Sequence, residues 1–103
     1  MIYLSGSISN GGTKESTFER FFEAEERLKA KGFEVINPAR MQDPKIEVLD
    51  DSVEKWIRYM ARDIKILIEE RPTMYFLKGW EKSVGANIEH FKAKELGLTI
   101  EYE

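Results

Sequence analysis

The sequence predicts an α/β fold, a flavodoxin-like or Rossmann-like three-layer sandwich with a small parallel sheet. Three observations carry that expectation: short apolar runs bounded by turn residues, longer stretches of helical spacing between them, and capping signals at the joins. Strand and helix alternate, and each helical stretch suits the right-handed crossover that joins parallel strands in one sheet.

Ile2-Tyr3-Leu4-Ser5 is the first strand, ended by the turn-rich Gly6-Ser7-Ile8-Ser9-Asn10-Gly11-Gly12. Ser16 and Glu19 match a capping box; Phe18, Phe21, Phe22 and Leu28 supply the apolar face of the first helix, and Gly32 stops it. Phe33-Glu34-Val35-Ile36 is the second strand, broken by Asn37-Pro38. The polar stretch through Asp51 reads as a loop or lid. A helix capped at Asp51 or Ser52 follows, with Trp56, Met60, Ile64 and Leu67 as its apolar stripe. Pro72 introduces Thr73-Met74-Tyr75-Phe76-Leu77, a buried strand, and Lys78-Gly79-Trp80-Glu81 is the loop after it. Ser83 caps the last helix, which runs to Gly97, and Leu98-Thr99-Ile100-Glu101-Tyr102 is the closing strand. Residues 1–103 therefore read as one domain, short enough that a homodimer or higher homo-oligomer is expected to add burial.

Composition narrows the function. A net charge of −3 argues against tracking polymeric nucleic acid, because neutralising a phosphate backbone needs clustered Lys and Arg. With no cysteine and a single histidine, His90, neither thiolate chemistry nor a His-rich or Cys-based metal site is expected, and no cofactor is called for. No apolar run is long enough to span a bilayer and no leader precedes the first strand, so a cytoplasmic protein without a membrane partner is expected.

Two carboxylates stand out on the helices. Asp63 lies at the edge of the apolar stripe, three after Met60 and four before Leu67. Glu89 has Gly85, Ala86 and Ala93 as helical neighbours, small residues that leave room for a ligand beside its carboxylate. In a parallel sheet, ligands gather beyond the carboxyl ends of the strands where strand order reverses. Glu89 is close enough to the start of the last helix to face that crevice. The bland readings are a solvated helix glutamate for Glu89, an Asp63 paired with Arg62 or Lys65, and a core tyrosine at Tyr3. Gly6, Gly11 and Gly12 offer amides toward an anion near a helix start, though an ordinary strand-to-helix turn uses the same residues. Trp80 offers a flat face for a nucleobase or for a subunit interface. His90 points roughly 100° away from Glu89 and reads as a surface histidine.

Ile2-Tyr3-Leu4-Ser5-Gly6-Ser7-Ile8, Asp63-Ile64 and Ser83-Val84-Gly85-Ala86-Asn87-Ile88-Glu89, followed by Ala93 and Leu96-Gly97, resemble the nucleoside 2-deoxyribosyltransferase superfamily nearly end to end. The similarity is greatest to compact, often phage-associated members of unknown function, through Tyr-Leu-Ser-Gly at 3–6, Asn-Pro-Ala at 37–39 and Gly-Trp-Glu-x-Ser-x-Gly-Ala at 79–86. The characterised relatives are deoxyribosyltransferases and 2′-deoxynucleoside 5′-phosphate N-hydrolases. The resemblance implies that Glu89 attacks the sugar C1′, Asp63 assists departure of the base, and Tyr3 orients Glu89. It also implies substrate contacts from Ser5, Gly6, Ser7, Ser9, Asn10, Gly11, Trp80, Ser83 and Gly85, with Ser7 and Ser83 matching serines that hold a 5′-phosphate. Ser9 stands where the N-hydrolases carry an arginine, and Lys14, Arg40 and Lys82 are the candidates to replace that charge. The expected partner is a small nucleoside or nucleotide, and the expected reaction is cleavage or exchange at its N-glycosidic bond. The competing readings are a non-catalytic nucleotide-binding or sensing domain, and an oligomeric interaction module built on Trp80 and the Pro72 region.

Overall fold

A computed structural model describes residues 1–7 and 14–103, with residues 14–17 described by their backbone alone. Strands β1 (Ile2–Ser5), β2 (Val35–Ile36), β3 (Thr73–Phe76) and β4 (Ile100–Tyr102) form one sheet in the order β2-β1-β3-β4, every neighbouring pair parallel. Helices α1 (Lys14–Ala30), a short α2 (Pro44–Glu47), α3 (Ser52–Glu70) and α4 (Val84–Leu96) accompany them, with single 3₁₀ turns at Pro38–Arg40 and Trp80–Lys82. The fold is the flavodoxin-like or Rossmann-like sandwich that the alternation predicts.

Side-chain alternation along the central strand sorts the two cores. Ile2 and Leu4 face α1, packing with Phe21, Ala24 and Leu28. Tyr3 faces the opposite layer, where Leu67 of α3, Ala93 of α4, Met74 and Phe76 are buried. All of β1 is buried, as a strand paired on both edges and covered on both faces must be.

The helix ends explain where the long elements stop. Asp51 accepts from the amides of Val53 and Glu54, both at 2.9 Å, and opens α3. Arg71 closes it in the left-handed region at φ 47°, its amide bonded to the Leu67 carbonyl. Ser83 accepts from the Ala86 amide at 3.1 Å to open α4, and Gly97 at φ 71° closes it.

The boundaries differ from the sequence expectation in several places, among them β3, which ends at Phe76 and leaves Leu77 outside it. The α1 helix already includes Lys14, so Ser16 lies inside its first turn and is not its cap. Only Val35 and Ile36 of the second apolar run pair with β1; Phe33 is 48% exposed after the turn at Gly32. Leu98 and Thr99 precede β4 and lie outside it. The expected loop after Ile36 holds the Pro38–Arg40 turn, capped by Asn37, and α2, capped by Asp43.

Since β2 lies on one side of β1 and β3 on the other, strand order reverses at β1, and the carboxyl ends of β1 and β3 flank the crevice. There the Leu77 amide bonds the Ser5 carbonyl at 2.8 Å, and a Cβ on Gly6 would meet the Leu77 Cβ at 3.1 Å. Gly6→Ala is expected to cost about 1–3 kcal/mol, since both Cβ atoms are fixed to paired backbone. Urea unfolding checks this, and an unchanged midpoint would show that the two strand ends separate freely. No helix among the described residues is long and apolar enough to cross a membrane.

Candidate active site

Glu89 is the centre of the site. A glutamate on a short helix is ordinarily solvated, yet this one is 6% exposed. Tyr3 and Ser5, two apart on β1 and therefore on one face of the sheet, aim both hydroxyls at it. The Tyr3 hydroxyl donates to Oε2 at 2.5 Å, and the Ser5 hydroxyl donates to Oε1 at 2.8 Å. Burial pushes the Glu89 carboxyl up to about 7; the Tyr3 hydrogen bond opposes this, the Asp63 charge adds to it, and Ser5 and Arg62 lower it. Burial, reinforced by the two nearby carboxylates, raises Tyr3 well above the ordinary tyrosine value, so it remains a donor.

Asp63 approaches the same site from α3. Its Oδ1 accepts from Nε and Nη2 of Arg62 at 3.1 and 3.0 Å, and the residue lines the same cavity as Tyr3 and Glu89. The pairing with Arg62 is thus present, and it does not remove Asp63 from the site. Burial raises the Asp63 carboxyl, against the opposing charge and hydrogen bonds of Arg62 and the bond from Tyr3. Tyr3, Asp63 and Glu89 therefore share one cavity, and both carboxyls are displaced toward their protonated forms. Acids perturbed by burial and by each other's charge in a cleft are candidates for a functional site.

The two acids open into a cavity of about 550 Å³. Its floor is β1 and Gly6, with Ser83, Gly85 and Ala86 of α4 beside Glu89. Trp56, Tyr59 and Met60 of α3 form one wall; Phe18 and Phe21, with Pro38 and Ala39, form the other. Gly85 has a packing role as well: a Cβ there would meet the Met60 sulfur at 3.1 Å. The volume falls in the range of small-molecule sites, and apolar, aromatic walls with a few convergent polar groups are the usual make-up of such sites.

Among the sequence-predicted residues, Tyr3, Ser5, Gly6, Asp63, Ser83, Gly85 and Glu89 meet at this cavity. Ser9, Asn10 and Gly11 lie outside the described residues, as does Gly12, and Ser7 is half-buried without lining the cavity. Trp80 is a correction. Its indole stacks on His90 at 4.4 Å and packs against Phe76 and Tyr102 in an aromatic cluster, and it does not line the cavity. The indole at the cavity is Trp56. His90 differs from expectation too, being half-buried with Nε2 2.7 Å from the Tyr102 hydroxyl.

Of the cations considered for the missing arginine, Arg40 is bonded to Glu25 at 2.5 Å and lies over the Phe22 ring. Lys82 lines a separate groove along α4, and the Lys14 side chain lies outside the described residues. Glu25, not singled out from sequence, is buried beneath Asn37, Arg40 and Lys29. Burial opposes its ionisation, but hydrogen bonds from those three hold its carboxyl below the ordinary value. That network fixes the Asn37-Pro38-Ala39 wall.

A family model described as a domain of unknown function, DUF4406, matches residues 1–102 of the chain. No curated protein and no solved structure matches it.

Proposed function

The chain belongs to the DUF4406 family, and we propose that it is an N-glycosidase or deoxyribosyltransferase acting on 2′-deoxynucleosides or their 5′-monophosphates. One observation carries the reading: Glu89 is buried at the cavity floor and gripped by two hydroxyls, with Asp63 lining the same cavity. The resemblance to the nucleoside 2-deoxyribosyltransferase superfamily supplies the substrate class.

Cleavage of a deoxyribosyl N-glycoside builds positive charge on the sugar and negative charge on the departing base. An ionised Glu89 oxygen bonds to C1′ as the C1′–N bond breaks and its electron pair leaves with the base, which takes a proton from a water held by the Asp63 carboxylate. Water or a second base then attacks C1′, the bond to Glu89 breaks, and the proton released restores the water at Asp63. Water gives hydrolysis and a base gives transfer. Carboxyl groups about 5–5.5 Å apart serve this covalent route, and wider pairs admit a water for direct attack.

Chromatography of free base released from a panel of 2′-deoxynucleosides and their monophosphates, with a spare base added to catch transfer, tests the reading. Release that requires Glu89 supports it. Thermal stabilisation by the same compounds without release would instead identify a nucleotide-binding or sensing domain.

The proposed setting is the cytoplasm, as a homodimer or higher homo-oligomer. Phe91, Val84 and Ile88 of α4 are 70%, 69% and 40% exposed and line one shallow groove, an apolar stripe of the kind subunits cover. Phe91→Glu is expected to shift the sedimenting species toward monomer; wild-type protein that sediments as a monomer at high concentration would remove this element.

A further inference from the structure

Residues 41–47 form part of the cavity wall, through Gln42 and Glu47, and α3 holds them with three side chains. The Arg62 Nη1 donates to the Met41 carbonyl, the Tyr59 hydroxyl accepts from the Asp43 amide at 3.1 Å, and Lys55 pairs with Glu47 at 3.5 Å. Lys55, Tyr59 and Arg62 are four and three apart, so they share one helical face, and the Arg62 guanidinium lies over the Tyr59 ring at 4.8 Å. The strap is thus continuous along α3.

Arg62 differs from the other two ties because the same guanidinium grips the acid. Nε and Nη2 hold Asp63 Oδ1 while Nη1 holds the wall. A planar guanidinium presents its donors in a fixed fork, so its two bonds to Asp63 and its bond to Met41 constrain one another. We infer that Arg62 is a positioning residue that aims Asp63 at the substrate and couples that aim to closure of residues 41–47 over the cavity. This rests on the catalytic reading above for its consequence, and on the three-way grip of Arg62 for its cause.

The charged and titratable groups around the pair are Tyr3 from β1, Arg62 and Tyr59 from α3, and Glu47 and Lys55 farther along the cavity lining. Arg62 acts on both acids in the same direction, lowering each. Its loss therefore moves both toward the protonated form at a given pH.

The test compares Arg62→Gln, Arg62→Lys and Lys55→Gln with wild type, by amide hydrogen exchange across residues 41–47 and by the pH profile of base release. Arg62→Gln is expected to speed exchange in the segment, lower kcat about 10²-fold, the scale of a small misplacement at a reacting centre, and move the acid limb to higher pH. Arg62→Lys keeps the charge and loses the fork, so its limb stays closer to wild type while exchange still quickens and kcat falls. Lys55→Gln loosens the segment alone and leaves the limb in place.

Wild-type exchange in both Arg62 variants would overturn the inference. So would an Arg62→Gln protein that loses stability while its acid limb stays put, because that is the behaviour of a plain brace. Should wild type release no base, the catalytic reading fails separately, and carboxyl NMR titration decides the coupling. Asp63 titrating at higher pH in Arg62→Gln, with faster exchange in the segment, would sustain it, and an unmoved Asp63 would overturn it.

Discussion

Glu89→Gln is expected to lower base release by at least about 10³-fold, as removal of a nucleophile does, and to raise stability at alkaline pH. The second half of that result follows from burial. The Glu89 carboxyl is raised from near 4.5 to about 7 in the folded protein. A group raised in this way contributes its full share of stability below its unfolded value, and that share is lost as pH climbs through 7. Above that pH the native state carries a buried anion, at a cost on the order of 3 kcal/mol for a displacement of this size. Glutamine keeps the shape and carries no charge, so its advantage over wild type grows from nothing near pH 4 to a plateau above pH 8. Thermal melts across that range check it. A variant that is less stable than wild type at pH 8 would mean that the two hydroxyls compensate the charge fully.

The second large effect is a pair of opposite shifts. In the proposed reaction ionised Glu89 is the reactive form, so kcat/KM for base release is expected to have an acid limb near pH 7, belonging to the Glu89–Asp63 pair more than to either acid. The Tyr3 hydroxyl lowers the Glu89 carboxyl, and the Asp63 charge raises it. Tyr3→Phe is therefore expected to move the limb to higher pH and Asp63→Asn to lower pH. Both lower the maximum, Tyr3→Phe by about 10- to 100-fold, the worth of a hydrogen bond to a charged group. Profiles from pH 5 to 9 read both signs, and limbs that move together would contradict the electrostatic account.

Much of this was legible in the sequence because it is local. Cap residues such as Asp51 and Ser83 mark helix starts by their own chemistry, and the small residues Gly85 and Ala86 line the cavity beside Glu89. The meeting of Tyr3 with Glu89 is not local: 86 positions separate them, and only the resemblance joined them beforehand. Ser5 was assigned to substrate, and its hydroxyl turns out to hold the glutamate. Trp56 and Met60 were read as core stripe. Periodicity gives the face of a helix and not what lies opposite, and here the amino-terminal half of that stripe faces a cavity while Leu67 faces the sheet. The hint was available in the spacing, since Trp56, Met60 and Asp63 are one face. Trp80 misled for the converse reason: a tryptophan after glycine in a loop looks exposed, and β4 and α4 fold back to stack Tyr102 and His90 on it.

The most direct measurement is rapid quenching of the protein after mixing with a 2′-deoxynucleoside, followed by peptide mass mapping. A deoxyribosyl adduct on the peptide that contains Glu89, formed and lost at the rate of base release and absent from Glu89→Gln, is the predicted result. Base release that persists undiminished in Glu89→Gln, or folded wild-type protein that neither releases base nor forms the adduct, would contradict the account.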